Sequence, residues 1–268
     1  MNRFCRTLAA VVLIGLGSTL TAGATPAAVQ GGGPGAEASA GKAVAIVIDD
    51  FGNRMGGTEQ MMNLPFPITV AVMPFLATSE QDAEEAYYKG HEVIVHMPME
   101  PFTGRKSWLG PGAITCDLSD QEIQDRVRSA IDHVPHAVGI SNHMGSKATS
   151  DERVMRNVLA VCKERNLYFL DSHTNYRSIA GRTARDMGVA STDNELFLDD
   201  VKESAAIGKQ LRKLGELVDK HGTAIAIGHV GAGGKKTAEA VKQAPGLMPG
   251  VRFLKMSEML QTRGAGQR

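Results

Sequence analysis

Asp49 and Asp50 stand side by side where an apolar run ends, in VAIVIDDFGN over residues 44–53. Like charges in adjacent positions repel, and neither goes deep into a core without a partner. Other apolar runs end on residues of the same kind. His96 closes EVIVHM, Asn142 and His143 close AVGISNH, Asp171, Ser172 and His173 follow YFL, and His229 follows TAIAIG. Mixed imidazole and carboxylate suit zinc or a similar divalent ion, and an open coordination position makes such a site catalytic rather than structural. A divalent ion brings the pKa of water down toward neutrality. One carboxylate of the Asp49–Asp50 pair can then hold the cation while the other takes a proton, and the cation removes the repulsion between them.

These residues share a site only if the chain brings the strand ends to one face. From Ala43 onward, β-branched runs alternate with helical stretches: VAIVID, ITVAVM, EVIVHM, AVGISN, YFLD, a weak GVAS, TAIAIG and VRFLKM. Most are nearly continuous apolar runs, as in strands covered on both faces. Capping-box spacing at Ser119 with Glu122 and at Thr149 with Glu152 marks two helix starts, and residues 200–221 read as a long helix ended by Gly222. Strands alternating with helices predict parallel βαβ units in one α/β domain over residues 42–262, with a short tail at 263–268. In a parallel barrel the C-terminal strand ends open together onto one face, where active sites are built. Residues 100–117 (EPFTGRKSWLGPGAITCD) break the rhythm directly after the His96 strand, as functional loops do.

Other candidates are weaker. His91 opens a strand at its N-terminal end, the wrong face, while His133, His136 and His221 fall on helix ends or loops. GHVGAGGKKT over residues 228–237 has neither P-loop nor dinucleotide spacing, so its glycines are expected to let backbone pass close beside the site. No CxxC pair or HExxH helix is present. Zero net charge gives no electrostatic reason to expect nucleic acid.

The N-terminus has the order of a secretory signal over residues 1–24: Arg3 and Arg6, a short apolar core, then the small residues Ala22-Gly23-Ala24. The apolar run is short and broken by Gly and Ser, so cleavage and no stable membrane anchor are expected. A Gly/Ala/Pro linker follows over residues 25–41. The expected location is periplasmic or secreted. Cys116 and Cys162 remain after cleavage and are expected to be two buried thiols.

VAIVIDDFG, GHEVIVHMPMEP, VGISNHMGSKATSD, YFLDSHT and AIAIGHV together resemble the motifs of the divergent polysaccharide deacetylase (YibQ-like) family of the NodB-homology carbohydrate esterase superfamily. The resemblance covers about residues 43–260. It implies a distorted parallel (β/α) barrel of about seven strands and metal-dependent removal of N- or O-acetyl groups. It also implies Asp49 as general base, Asp50 and His96 as metal ligands, His229 as acid and Asp171 as its orienting aspartate. The superfamily's second metal histidine is missing from His96-Met97-Pro98-Met99-Glu100. Either Glu100 replaces it or His143 supplies the third ligand, and His143 is preferred. Glu100, Asn142 and Ser172 are then candidate substrate contacts. GHV stands where the family usually reads GHP, and His173 occupies a variable position.

The expected function is therefore an exported deacetylase, dependent on a divalent metal (zinc by its ligand types), acting on an envelope or extracellular polysaccharide. The alternative is a barrel that keeps the pocket and serves as a glycan-binding or envelope-regulating protein. The incomplete histidine motif favours that alternative.

Overall fold

The computed structural model describes residues 41–265. The expected signal segment, and all but the last residue of the expected linker, lie outside the described residues. Nine strands form one sheet: β1 (Ala43–Phe51), β2 (Thr69–Val72), β3 (Glu92–Met99), β4 (Ala137–Met144), β5 (Tyr168–Asp171), β6 (Ser191–Asp193), β7 (Leu196–Phe197), β8 (Thr223–His229) and β9 (Arg252–Leu254). Its order is β6-β5-β4-β3-β2-β1-β8-β7, with β9 beside the first half of β1, and every paired neighbour is parallel. The edge strands β6 and β7 are separated in the chain only by Asn194 and Glu195. The sheet must therefore curl until its edges approach, giving the distorted parallel barrel expected.

Two differences from the expected strands have local causes. GVAS does not start a strand, because Gly188 takes the left-handed conformation (φ 69°) that ends helix α5 (Ala180–Met187), and pairing begins at Ser191. The two-residue β7 is too short to show a period in sequence.

Alternation assigns the two faces. Val44, Ile46 and Ile48 of β1 pack outward against the helical layer, in which α3 (Asp120–His133), α4 (Glu152–Glu164) and α6 (Ser204–His221) supply Val127, Val158 and Leu214. Ala43, Ala45 and Val47 point inward with Ala71, Ile94, Leu170, Ile225 and Ile227, a narrow interior filled largely by small and β-branched side chains. The C-terminal helix α9 (Met256–Ala265) closes the N-terminal end of the barrel with Met256 and Met259, and takes in the first residues of the expected tail. Buried Glu92 ties that plug down by accepting from Tyr168 Oη at 2.7 Å and Ser257 N at 3.1 Å. With one end sealed, an accessible site belongs at the other.

Ser119 caps α3 in the expected reciprocal box with Glu122. At α4 the cap is Asp151, which accepts from Val154 N at 3.0 Å, rather than Thr149. A 3₁₀ turn over Ala148–Ser150 intervenes, and the Thr149 hydroxyl donates back to Gly145 O at 2.9 Å. Cys116 and Cys162 are both free thiols; Cys162 is buried and Cys116 half-buried.

Candidate metal centre

The alternation that places Val47 inside also places Asp49 inside, and by the same count Asp50 belongs on the outer face. A break in the β1 backbone changes that. The register with β2 shifts between Ile48 and Phe51, and Asp50 adopts a positive φ of 72°. A bulge of this kind re-aims a side chain. Both carboxylates now approach one atom: Asp49 Oδ2 and Asp50 Oδ1 each lie 3.5 Å from His96 Nε2.

His96 lies inward on β3, two residues beyond Ile94. Its Nδ1 lies 2.8 Å from Ser141 Oγ, its register partner on β4, which leaves Nε2 facing the aspartates. His143, two residues beyond Ser141 on the same face, brings Nδ1 to 3.0 Å from Asp50 Oδ1 and 3.2 Å from His96 Nε2. His143 Nε2 donates to the Trp108 carbonyl at 3.0 Å. A carbonyl only accepts, so the neutral ring carries its proton on Nε2 and turns the bare Nδ1 lone pair toward Asp50. The loop over residues 100–117 thus fixes the tautomer of a candidate ligand.

The donor set fits a divalent cation. One donor atom from each of Asp50, His96 and His143 lies within 4.8 Å of the others. Asp49 Oδ1 is buried with no hydrogen-bond partner, and Asp50 Oδ1, despite its nearness to both imidazoles, makes no well-aligned hydrogen bond. Converging lone pairs and uncompensated carboxylate oxygens are what a cation satisfies. Both imidazoles have a polar partner on the far nitrogen, the usual support for ligating histidines. Burial pushes Asp49 above the ordinary carboxylate range, only partly opposed by His96 and His229. Burial also pushes Asp50 up, but the adjacent imidazoles of His143 and His96 outweigh it and hold Asp50 well below. Burial lowers His143, and Asp50 more than reverses that.

His229 stands on the opposite flank, as the β8 residue in register with Asp49. Its Nδ1 lies 2.7 Å from Asp199 Oδ1, and its backbone N–H donates to Asp199 Oδ2 at 2.9 Å. Burial lowers the imidazole, but the Asp199 hydrogen bond and the charge of Asp49 raise it to about 9. The orienting contact expected of Asp171 is thus made by Asp199. Leu170 faces the barrel interior, so Asp171 faces outward, where it accepts from the hydroxyl of Ser178 and from His173 N.

The three candidate substrate contacts are otherwise engaged. Asn142 is buried, donates to Met144 O at 2.8 Å and accepts from Ser172 N at 2.9 Å. Ser172 is buried and donates its hydroxyl to Asn142 O at 2.9 Å. This polar tie splices β4 to β5 and leaves neither side chain free for a ligand. Glu100 accepts from Cys116 N at 2.7 Å and Lys147 Nζ at 2.8 Å, outside the cluster of donors, which contains His143 instead. His173 is exposed with φ 54°. His91 is buried at the sealed end against Met62 O.

Asp199, Ser141 and the Trp108 carbonyl were not anticipated. Asp199 did carry a signal: LFLDD over residues 196–200 ends an apolar run on an acidic pair, as VAIVIDD does.

The profile of the divergent polysaccharide deacetylase family matches residues 46–260. The chain is 42% identical over 190 residues to the uncharacterized protein YibQ of Escherichia coli, covering 71% of this chain and 59% of that one. It is 38% identical over 186 residues to an uncharacterized protein of Haemophilus influenzae, covering 69% and 66%. The match thus spans less than two thirds of either relative. The crystal structure of an uncharacterized protein from Agrobacterium tumefaciens C58 has the same fold, with a TM-score of 0.75 at 21% identity, covering 82% of this chain and 89% of that one. With the family profile matched across nearly the whole barrel, the chain belongs to the divergent polysaccharide deacetylases.

Proposed function

We propose that the protein is an exported, divalent-metal-dependent hydrolase that removes N- or O-linked acetyl groups from an envelope or extracellular polysaccharide. The observation that carries this reading is the meeting of Asp50, His96 and His143 within 4.8 Å, with the buried carboxylate of Asp49 beside them. Asp50, His96 Nε2 and His143 Nδ1 would hold the ion, with zinc the best match to two imidazoles and a carboxylate. When bound, such an ion supplies acidity to water and polarises an acetyl carbonyl.

The chain's own groups divide the proton transfers. Asp49 has the raised proton affinity and the free Oδ1 that suit it to take a proton from the attacking water. His229 enters protonated and gives its Nε2 proton to the leaving amine or alcohol, while Asp199 holds Nδ1–H and steadies the charge. Export rests on the basic, apolar and small-residue order of residues 1–24. Acetate release from a panel of acetylated polysaccharides, measured before and after chelation and after zinc is restored, tests the reading. Release that depends on the ion supports it, and release unaffected by thorough chelation contradicts it.

The missing second histidine of the HxxxH motif favours one other reading, a glycan-binding or envelope-regulating barrel. Such a protein would bind polysaccharide without releasing acetate from any of the panel.

A further inference from the structure

The stretch GHVGAGGKKT leads out of β8 into helix α7 (Gly234–Lys242), and its last residue faces the site from behind. Thr237 is fully buried, and its hydroxyl lies 2.9 Å from Asp199 Oδ2, the same oxygen that accepts the His229 backbone N–H. A carboxylate oxygen accepts, so Thr237 donates. Asp199 is buried and held by three donors: His229 Nδ1 on one oxygen, His229 N and Thr237 Oγ1 on the other. Removing the third leaves the carboxylate free to rock about its contact with the backbone, and the Nδ1 bond moves with it.

The approach of Thr237 is built into the surrounding glycines. A Cβ at Gly228 would lie 3.1 Å from Thr237 Cγ2. A Cβ at Gly234 would lie 2.2 Å from Gly56 O, so the first turn of α7 presses directly on the loop that follows Asp49 and Asp50. Gly231 N donates to Gly56 O at 2.8 Å, and Val230 N donates to Asp49 O at 3.1 Å. One helix is therefore keyed to both sides of the site.

We propose that Thr237 is a positioning residue: through Asp199 it fixes the His229 imidazole, and α7 registers that arrangement against the loop that follows Asp49 and Asp50. Its kinetic consequence rests on the reading of His229 as proton donor, whereas its structural consequence does not.

The test uses the full chain and the variants Thr237→Val and Thr237→Ser. The readout independent of activity is the downfield proton resonance of His229 Nδ1–H, assigned by its loss in His229→Gln. In Thr237→Val this resonance is expected to move upfield and exchange faster with water, with Thr237→Ser restoring it. With a substrate that releases acetate, Thr237→Val is expected to lose about tenfold in kcat at unchanged KM and metal content, the scale of one hydrogen bond to a charged group. A resonance unmoved in Thr237→Val overturns the proposal. So does a resonance equally lost in Thr237→Ser, since volume rather than the hydroxyl would then be at work. If the wild type releases no acetate, the resonance still decides the role of Thr237 in the same way, and only the deacetylase reading falls.

Discussion

Asp49 and Asp50 are neighbours in the chain, yet both reach His96 Nε2, each at 3.5 Å. Adjacent residues of a regular strand point to opposite faces, so this convergence depends on the positive φ of Asp50. A non-glycine residue there costs roughly 1–2 kcal/mol. Asp50→Gly and Asp50→Ala both remove the carboxylate, but only glycine relieves the backbone. In the presence of chelator, Asp50→Gly is expected to be the more stable of the two by about 1 kcal/mol in urea denaturation, with metal binding lost in both. Equal stability would show that the bulge is unstrained.

The His229–Asp199 pair predicts a pH dependence of stability in the metal-free protein. The imidazole is raised from its ordinary value near 6.5 to about 9 in the fold. A group raised on folding contributes fully below its unfolded pKa and loses that contribution as pH rises through the folded one. Wild type is therefore expected to lose stability between about pH 6.5 and pH 9 relative to His229→Gln. Parallel stability profiles for the two proteins across this window would contradict the pairing.

Trp108 is the only tryptophan in the chain, and its carbonyl receives the Nε2 proton of His143. Zinc added to the metal-free protein is expected to change tryptophan emission with a saturable, one-site dependence. Asp50→Ala should abolish the change. Emission unaffected by zinc that demonstrably binds would uncouple the loop from the centre.

Asn142 and Ser172 are read as structural ties rather than substrate contacts. Asn142→Ala leaves the buried Ser172 N–H unpaired and is expected to cost about 1–3 kcal/mol of stability, with KM unchanged at temperatures where the variant is folded. A raised KM without loss of stability would return Asn142 to the substrate site.

Much of the barrel and its site is legible in sequence, and the limits have physical causes. Continuous apolar runs announce parallel strands, and a period of two carries Val47 to Asp49, Ile94 to His96 and Ile227 to His229 without knowledge of the fold. The same parity points Asp171 away from the interior. What parity cannot reveal is a bulge: nothing in IDDF states that Asp50 turns inward. Asp199 escaped because β7 has only two residues, so LFLDD looks like loop until β8 pairs with it. Thr149 lost its helix cap to Asp151 because a 3₁₀ turn, invisible to capping-box spacing, comes between. The Trp108 contact is a backbone carbonyl, for which no side-chain pattern exists.

In the proposed mechanism Asp50 holds the cation while Asp49 only moves a proton, and Asp49→Asn separates the two roles. The change is nearly isosteric, so bound metal and melting temperature are expected to match wild type while acetate release falls roughly 10²- to 10⁴-fold, the usual worth of a general base. Acetate release equal to wild type would remove Asp49 from the mechanism, and loss of the metal along with the activity would make it a ligand instead.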